Sequence, residues 1–232
     1  MKITIFGANG RTGRELTRQA LAAGHSAVAV TRNPDSFPFS DPALTVAGAD
    51  VRDAPSLENT VKGADAVLST LGVPFSRKPI DIYSAGARNI IAAMRQAGVR
   101  RLVVVSSSAV YPTPNRRNTP KATKVFEPIL KRTIGKTTYD DQRRMENIVQ
   151  SSDVDWTIVR PSGLFDLAEP TNYIAGEVDP VGAFTARADL AHYLLALASD
   201  DSASKHIVMI STTENTPTMW HMIRSEAFKK DA

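Results

Sequence analysis

Short apolar runs alternate with amphipathic segments along most of the chain. After an N-terminal run, further runs predict strands at residues 25–31, 44–46, 64–71, 101–106, 155–160 and 206–210. Apolar residues at helical spacing predict helices at residues 12–23, 55–63, 83–97, 138–150 and 187–198, and a terminal helix that contains Trp220 and Met222. Strand–helix alternation of this length predicts an α/β fold built on a doubly wound parallel sheet.

The run at residues 101–106 indicates why the sheet should be parallel. Its centre, Leu-Val-Val-Val, is apolar without alternation, as in a strand buried on both faces by helices. No linker-like or low-complexity stretch divides the 232 residues, so we expect a single domain over residues 1–232. Within it, residues 161–232 are expected to form a small C-terminal elaboration with the substrate-side elements.

Three glycines follow the N-terminal run and precede the first predicted helix, at Gly7, Gly10 and Gly13. Strand, glycine-rich turn and helix in that order are the context of a dinucleotide fingerprint. Gly7 would allow the tight turn, Gly10 the approach of backbone to a pyrophosphate, and Gly13 close packing of the helix. The first N–H groups of the helix would face the anion. An ordinary strand-to-helix turn is the alternative; the nucleotide interpretation also assigns cofactor contacts to Asn9, Arg11 and Thr12.

The end of the second predicted strand favours the phosphorylated cofactor. In dinucleotide folds this position meets the adenosine ribose, where a carboxylate would accept a hydrogen bond from the 2′-hydroxyl of NAD. This chain has Arg32 there, and a guanidinium suits the 2′-phosphate of NADP. Arg11 could reach the same phosphate. Asp35 is the argument for NAD, and two solvated arginines are the alternative without a ligand; we expect NADP(H) to be preferred over NAD(H).

Ligands of doubly wound sheets bind outside the carboxyl ends of the strands. The glycine turn, Arg32 and several later positions all follow predicted strands, so one cleft should gather them. The later positions are Asp50 with Val51, Leu71 with Gly72, Ser106 to Ser108, and Pro161 with Ser162.

The composition limits the chemistry further. The chain has no cysteine, which removes disulfides, thiolate nucleophiles and zinc–thiolate sites, and its histidines lack metal-ligand spacing, so no metal site is predicted. No apolar run approaches the roughly 18 to 20 residues of a membrane span, and the N-terminus enters a strand without a signal-peptide pattern. A cytoplasmic protein without a membrane partner is the simplest interpretation.

The net charge of +4 is unevenly distributed. Between Ala109 and Lys136 seven cationic residues stand against Glu127 alone, a local charge of +6 that leaves −2 for the rest of the chain. Few aromatic residues lie among these cations, so they do not indicate nucleic acid. A solvated loop is one interpretation, and a cationic lid over an anionic substrate is the other.

Five segments carry a resemblance to a known family, which extends from Lys2 to about Ile210. They are GANGRTG at the start, GADVRD around Asp50, GARNIIAAMRQAGVRRLVVVSSSAV from Gly86, YDDQRRMENIV from Tyr139 and DWTIVRPSGL from Asp155. The chain resembles the atypical short-chain dehydrogenase/reductases, a Rossmann-like, NAD(P)-binding group that includes NmrA-like proteins and the biliverdin IXβ/flavin reductases.

The resemblance implies roles for the predicted strand ends. Asp50 and Val51 would border the adenine, and Leu71 and Gly72 would lie along the cofactor. Ser106 and Ser108 would face the nicotinamide.

Two positions depart from related enzymes. Many short-chain dehydrogenases use a Tyr-x-x-x-Lys pair, whereas the corresponding helix here has Tyr139 and Arg143. These residues are neighbours on one helix face, so a phenol with a guanidinium is a candidate acid, and a surface tyrosine beneath an arginine is the alternative. Ser162 stands where the biliverdin/flavin reductases have histidine, which argues against a tetrapyrrole substrate.

Together these features predict an NADPH-dependent oxidoreductase that passes hydride to a flat conjugated acceptor such as a flavin or quinone. Such a transfer asks little of protein acid–base groups. Ser108 would orient the nicotinamide or donate to the acceptor, with Tyr111 covering it. The alternatives are an NADP(H)-sensing regulatory protein of the NmrA-like type, and a carbonyl reductase or epimerase-like enzyme that uses Tyr139. The oligomeric state is left open.

Overall fold

A computed structural model describes residues 1–76, 78–118, 133 and 135–218 of the chain. The strands are β1 (Lys2–Phe6), β2 (Ser26–Thr31), β3 (Leu44–Gly48), β4 (Ala66–Ser69), β5 (Arg101–Val105), β6 (Asp155–Pro161), β7 (Gly163–Phe165), β8 (Ile174–Gly176), β9 (Phe184–Ala186) and β10 (His206–Ser211). The α-helices are α1 (Arg11–Ala22), α2 (Ala54–Leu57), α3 (Ile82–Ala97), α4 (Lys136–Gln150) and α5 (Arg187–Ala198), and 3₁₀ turns cover Pro34–Ser36 and Asp201–Ala203.

The main sheet has eight strands in the order β3-β2-β1-β4-β5-β6-β10-β8. Its neighbouring strands are parallel except β10 and β8, which are antiparallel. The strand order reverses beside β1, because the chain builds outward to β3 and then returns to place β4 on the other side of β1. The predicted α/β fold with a doubly wound, Rossmann-like sheet is thereby confirmed, and ligands of such sheets bind at this switch point.

Helices cover both faces of the sheet. α1 and α5 pack together on one face, over a core that includes Ile5 and Leu16. α3 and α4 pack together on the other face, over a core that includes Phe6 and Ile90. Consecutive strand residues such as Ile5 and Phe6 therefore enter different cores, which explains why the strands are apolar without alternation.

The helix predicted at residues 55–63 is wrong in length. α2 ends at Leu57, and both the backbone N–H and the hydroxyl of Thr60 donate to the Leu57 carbonyl. The Thr60 carbonyl accepts a 2.8 Å hydrogen bond from the buried hydroxyl of Thr4 in β1. The Thr60 N–H thus bonds to the carbonyl three residues back, as in a tight turn, and the bond from Thr4 holds this turn against β1.

The segment between β6 and β10 contains three short strands that the sequence pattern did not indicate. β7 and β9 form a separate parallel pair, and β8 forms an edge of the main sheet. α5 coincides with the helix predicted at residues 187–198. The predicted terminal helix with Trp220 and Met222 lies outside the described residues. Among the described helices, none is both long and apolar enough to cross a membrane.

Candidate active site

The glycine turn between β1 and α1 has little room for side chains. Gly7 has a φ of +75°, and a Cβ there would lie 2.8 Å from the Thr70 carbonyl oxygen. A Cβ on Gly13 would lie 2.3 Å from the Gly7 carbonyl oxygen, whereas one on Gly10 would lie 3.2 Å from it. Gly7 and Gly13 are therefore required by the turn itself, because a side chain at either position would collide with backbone.

The N-terminus of α1 opens at the switch point of the sheet. Gly10 is the residue before the helix and has no side chain with which to cap it, and the first turn contains no acidic residue. The first N–H groups of a helix have no partner within the helix, so an uncapped N-terminus attracts an anion. Thr12 in this turn is 9% exposed.

Asn9 connects the glycine turn to the segment after β2. Its side-chain amide donates to Ser36 Oγ at 3.0 Å and accepts from Arg14 at 3.0 Å. Arg32 at the end of β2 is exposed, and no hydrogen bond or ion pair joins its side chain to another described residue. Asp35, the residue that would favour NAD, is exposed in the 3₁₀ turn.

Arg11 lies in an ion pair that the sequence did not suggest. Its guanidinium contacts the Asp166 carboxylate, which also accepts a 2.8 Å hydrogen bond from Arg187 at the start of α5. The structure therefore brings Arg11 to the segment after β7. Its predicted contact with the 2′-phosphate stays a prediction.

The residues predicted to border the adenine lie beside α3. The Val51 carbonyl accepts a 2.8 Å hydrogen bond from the Asn89 side chain, and the Asp50 carboxylate accepts from the backbone of Arg52 at 2.9 Å. Val51 and Leu71 both approach Gly86: a Cβ on this glycine would lie 3.3 Å and 2.8 Å from their side chains, respectively. Val51 and Leu71 are therefore neighbours, as expected for two residues along one ligand, and Gly72 next to Leu71 is exposed.

Ser106, at the end of β5, belongs to a buried polar network. Its hydroxyl donates to Glu146 at 2.6 Å, and Glu146, which is fully buried, accepts two hydrogen bonds from Arg160 at 2.9 and 2.5 Å. A buried carboxylate needs such partners, since its desolvation is costly without them.

Tyr111 lies against two arginines. The guanidinium carbon of Arg160 lies 4.6 Å from the centre of the Tyr111 ring, and that of Arg143 lies 5.6 Å away. Arg143 donates to the Val110 carbonyl at 2.9 Å and pairs with Asp140. The Tyr139 ring packs near Phe75, with 6.0 Å between centroids. The described contacts of Arg143 therefore connect it to the loop after β5.

Ser108 and Ser162 meet at the carboxyl ends of β5 and β6. Their hydroxyl oxygens are 3.4 Å apart, and the Ser108 backbone donates to the Pro161 carbonyl at 2.9 Å. Arg116 donates to the Ser108 hydroxyl at 2.6 Å. The structure thus brings together the predicted residues Ser108, Pro161 and Ser162 and adds a cation from the basic segment, of which residues 119–132 and 134 lie outside the described residues.

A cleft of about 490 Å³ lies between residues 167–172 and residues 214–215. Its two walls are tied to the fully buried Asp189 of α5. Thr171 donates to this carboxylate through its backbone at 2.6 Å and through its hydroxyl at 2.9 Å, and Thr212 donates through its hydroxyl. Leu167 in the cleft wall directly follows Asp166, the partner of Arg11.

Sequence reasoning missed Asp166, Glu146 and Arg160. For Glu146 a signal existed, because it follows Gln142 at i+4 and precedes Val149 at i+3, and both of these are on the buried face of α4. A carboxylate on a buried face needs a partner. Asp166 stands in a non-periodic segment, where no pattern marks it.

Comparison with known proteins agrees with this geometry. A sequence-family model described as NAD(P)H-binding matches residues 7–201. An uncharacterized protein of Mycobacterium tuberculosis is 38% identical over 108 residues, which are 46% of this chain and only 12% of that protein. The uncharacterized sugar epimerase YhfK of Bacillus subtilis is 28% identical over a match that covers 99% of this chain and 100% of YhfK.

Solved structures share the fold at low sequence identity. The oxidoreductase YlbE from Lactococcus lactis has a TM-score of 0.76 and 18% identity, covering 97% of this chain and 96% of its own. A short-chain dehydrogenase/reductase from Veillonella parvula in complex with NADP has a TM-score of 0.75 and 18% identity over 94% and 99% of the two chains. ChuY from Escherichia coli, an anaerobilin reductase, has a TM-score of 0.71 and 22% identity over 94% and 100%.

Proposed function

Since the chain belongs to the NAD(P)H-binding family, we propose that it is an NADPH-dependent reductase that passes hydride to a flat conjugated acceptor of the flavin or quinone type. The observation that carries the proposal is the uncapped N-terminus of α1 at the switch point of the sheet. An anion-binding helix end at this point of a doubly wound sheet suits a dinucleotide pyrophosphate.

Residues on both sides of the glycine turn fit the rest of the cofactor. The neighbouring side chains of Val51 and Leu71 offer an apolar surface to the adenine. The hydrogen bond from Asn9 to Ser36 fastens the segment after β2 against the turn, so that one cofactor would reach both the turn and Arg32. An exposed guanidinium at the end of β2 favours a 2′-phosphate, which supports NADPH over NADH.

The side chains at the ends of β5 and β6 would hold the reacting groups. NADPH supplies the hydride when bound, so the protein has to orient donor and acceptor and exclude water. Ser108, next to Ser162 and Arg116, offers a hydroxyl to a carbonyl or amide group. Arg116 adds positive charge at Ser108 and Arg143 adds it beside Tyr111, which supports a planar acceptor that carries negative charge.

Similarity to other proteins supports a reductase without naming its substrate. YlbE and ChuY are described as an oxidoreductase and a reductase, respectively. The epimerase description of YhfK favours a second candidate, a carbonyl reductase or epimerase-like enzyme in which Tyr139 is the acid. Direct hydride transfer remains the first candidate, because it asks little of protein acid–base groups.

Binding and turnover of NADPH by the purified chain test the proposal together. Calorimetry should give tighter binding for NADPH than for NADH, and steady NADPH oxidation should appear with FMN, riboflavin or a quinone as acceptor. Tight binding without turnover on any of them would favour the NADP(H)-sensing protein. No binding of either cofactor would reject both.

A further inference from the structure

Asp166 connects the glycine turn to the start of α5. It follows β7 directly and contacts two guanidinium groups, that of Arg11 at the first position of α1 and that of Arg187 at the first position of α5. The two contacts differ in exposure: the Arg11 side chain is 48% exposed and the Arg187 side chain 15%. Arg187 is therefore the more firmly placed partner of Asp166.

This carboxylate lies where a cofactor phosphate would need positive charge. The first turn of α1 itself contains no acidic residue, so its N–H groups and Arg11 together form a cationic end. Asp166 is brought to it from another part of the chain and neutralises Arg11. A dinucleotide bound at the end of α1 would place a second anion beside the same guanidinium.

We propose that Asp166 is an internal counter-ion that competes with the cofactor phosphates for Arg11 and so sets the affinity for NADPH. The inference rests on the proposed function. On binding, Arg11 exchanges Asp166 for a phosphate oxygen, while Asp166 keeps its hydrogen bond to Arg187. The half-exposed pair of Arg11 and Asp166 is a weak one, whereas a guanidinium and a phosphate form strong, paired hydrogen bonds. Binding of the phosphate is therefore favourable overall, but the competition from Asp166 lowers the affinity for NADPH.

The substitution Asp166→Asn tests the competition, because it removes the charge and retains an oxygen that can accept from Arg187. The variant should bind NADPH about three- to tenfold more tightly than the wild type at low salt, as expected for one unit charge removed near the ligand. The gain should shrink when salt rises from about 0.05 to 0.5 M, because screening then acts over a few ångströms. Asp166→Ala should change the affinity in the same direction.

Asp153→Asn is the matched control. Asp153 also forms an exposed pair with an arginine, Arg95. It precedes β6, however, and so lies at the amino ends of the strands, away from the carboxyl ends at which the cofactor is expected to bind. Its substitution should leave the dissociation constant for NADPH unchanged. A similar gain in both variants would mean that overall charge alone is responsible, and would overturn the inference.

A double-mutant cycle shows whether Asp166 acts through Arg11. Arg11→Gln should weaken NADPH binding, and adding Asp166→Asn to it should give a smaller gain than in the wild-type background. Weaker or unchanged binding by Asp166→Asn alone would show that the carboxylate positions Arg11 or is neutral, and would overturn the competition while leaving the proposed function intact. Failure of the wild type to bind NADPH would instead reject the proposed function, and this inference with it.

Discussion

The carboxylate of Glu146 and the guanidinium of Arg160 are joined by two hydrogen bonds beneath the candidate active site. Ser106 donates to the same carboxylate, and Arg160 lies against the Tyr111 ring. The network thus joins α4, β6, the end of β5 and the loop that follows it. It fixes the carboxyl ends of two adjacent strands, at which the acceptor is expected to bind.

Glu146→Ala should destabilise the protein strongly. Removal of one partner from a buried ion pair leaves the other charge uncompensated, which costs about 3 to 5 kcal/mol. Denaturant unfolding would measure this loss. Glu146→Gln keeps hydrogen-bonding atoms and should cost less, and Asp153→Ala at an exposed pair should leave stability nearly unchanged. If Glu146→Ala cost no more than Asp153→Ala, the network would not be stabilising.

Arg32→Ala should reduce NADPH affinity selectively. A charge-assisted hydrogen bond contributes about 1.5 to 3 kcal/mol, so NADPH binding should weaken by roughly ten- to a hundredfold while NADH binding is nearly unchanged. Calorimetry with both cofactors measures the difference. Arg100→Ala, at the amino-terminal edge of the sheet, is the control. An equal loss for NADPH and NADH would refute the contact with the 2′-phosphate.

Gly7 and Gly98 form a matched pair for the glycine turn. Both have positive φ, +75° and +71°, but a Cβ would collide with Thr70 at Gly7 and meets open space at Gly98. Each Gly→Ala change pays about 1 to 2 kcal/mol for the left-handed conformation. Gly7→Ala should additionally distort the turn and lose cofactor binding, whereas Gly98→Ala should retain it. Denaturant unfolding measures the loss of stability in both variants, and calorimetry measures the loss of cofactor binding. If both variants bound the cofactor as tightly as the wild type, the turn would have no role in binding.

Tyr139→Phe distinguishes direct hydride transfer from acid catalysis. Loss of a general acid typically lowers kcat by about 10² or more, whereas direct hydride transfer predicts a loss of less than about tenfold. Steady-state kinetics with a flavin, together with the cofactor affinity, provides the measurement, and Tyr111→Phe in the loop after β5 is the matched variant. A large loss in kcat with intact NADPH binding for Tyr139→Phe alone would favour the carbonyl reductase or epimerase-like enzyme.

The parts of the fold that sequence predicts are those set by local pattern. The helix at residues 187–198 is confirmed residue for residue, because eight of its twelve residues are the strong helix formers alanine and leucine. α2 is shorter than predicted because the chain makes a tight turn in which Thr60 bonds back to Leu57, and Thr4 in a distant strand holds this turn in place. β7 and β9 pair residues Gly163–Phe165 with Phe184–Ala186, and strands this short have too few positions to show alternation.

In the candidate site, too, the predictable features are those carried by neighbouring residues. The glycine turn was predictable, since its chemistry is carried by consecutive residues. Helix spacing makes Arg143 a neighbour of Tyr139. The contact of Arg143 with the Tyr111 ring depends instead on how the loop after β5 folds back on α4. The pairing of Arg11 with Asp166 joins residues far apart in sequence, and no local pattern encodes it.

β8 also covers one edge strand of the main sheet. Its residues Ile174–Gly176 pair with Met209–Ser211, the carboxyl half of β10. Without it, the backbone groups of that half would be a template for strand addition by another chain. β8 occupies them within the same molecule, and at three residues it is itself a poor template. A second copy would have to displace β8 before it could extend the sheet here, so this edge resists intermolecular β-pairing and the aggregation that follows from it.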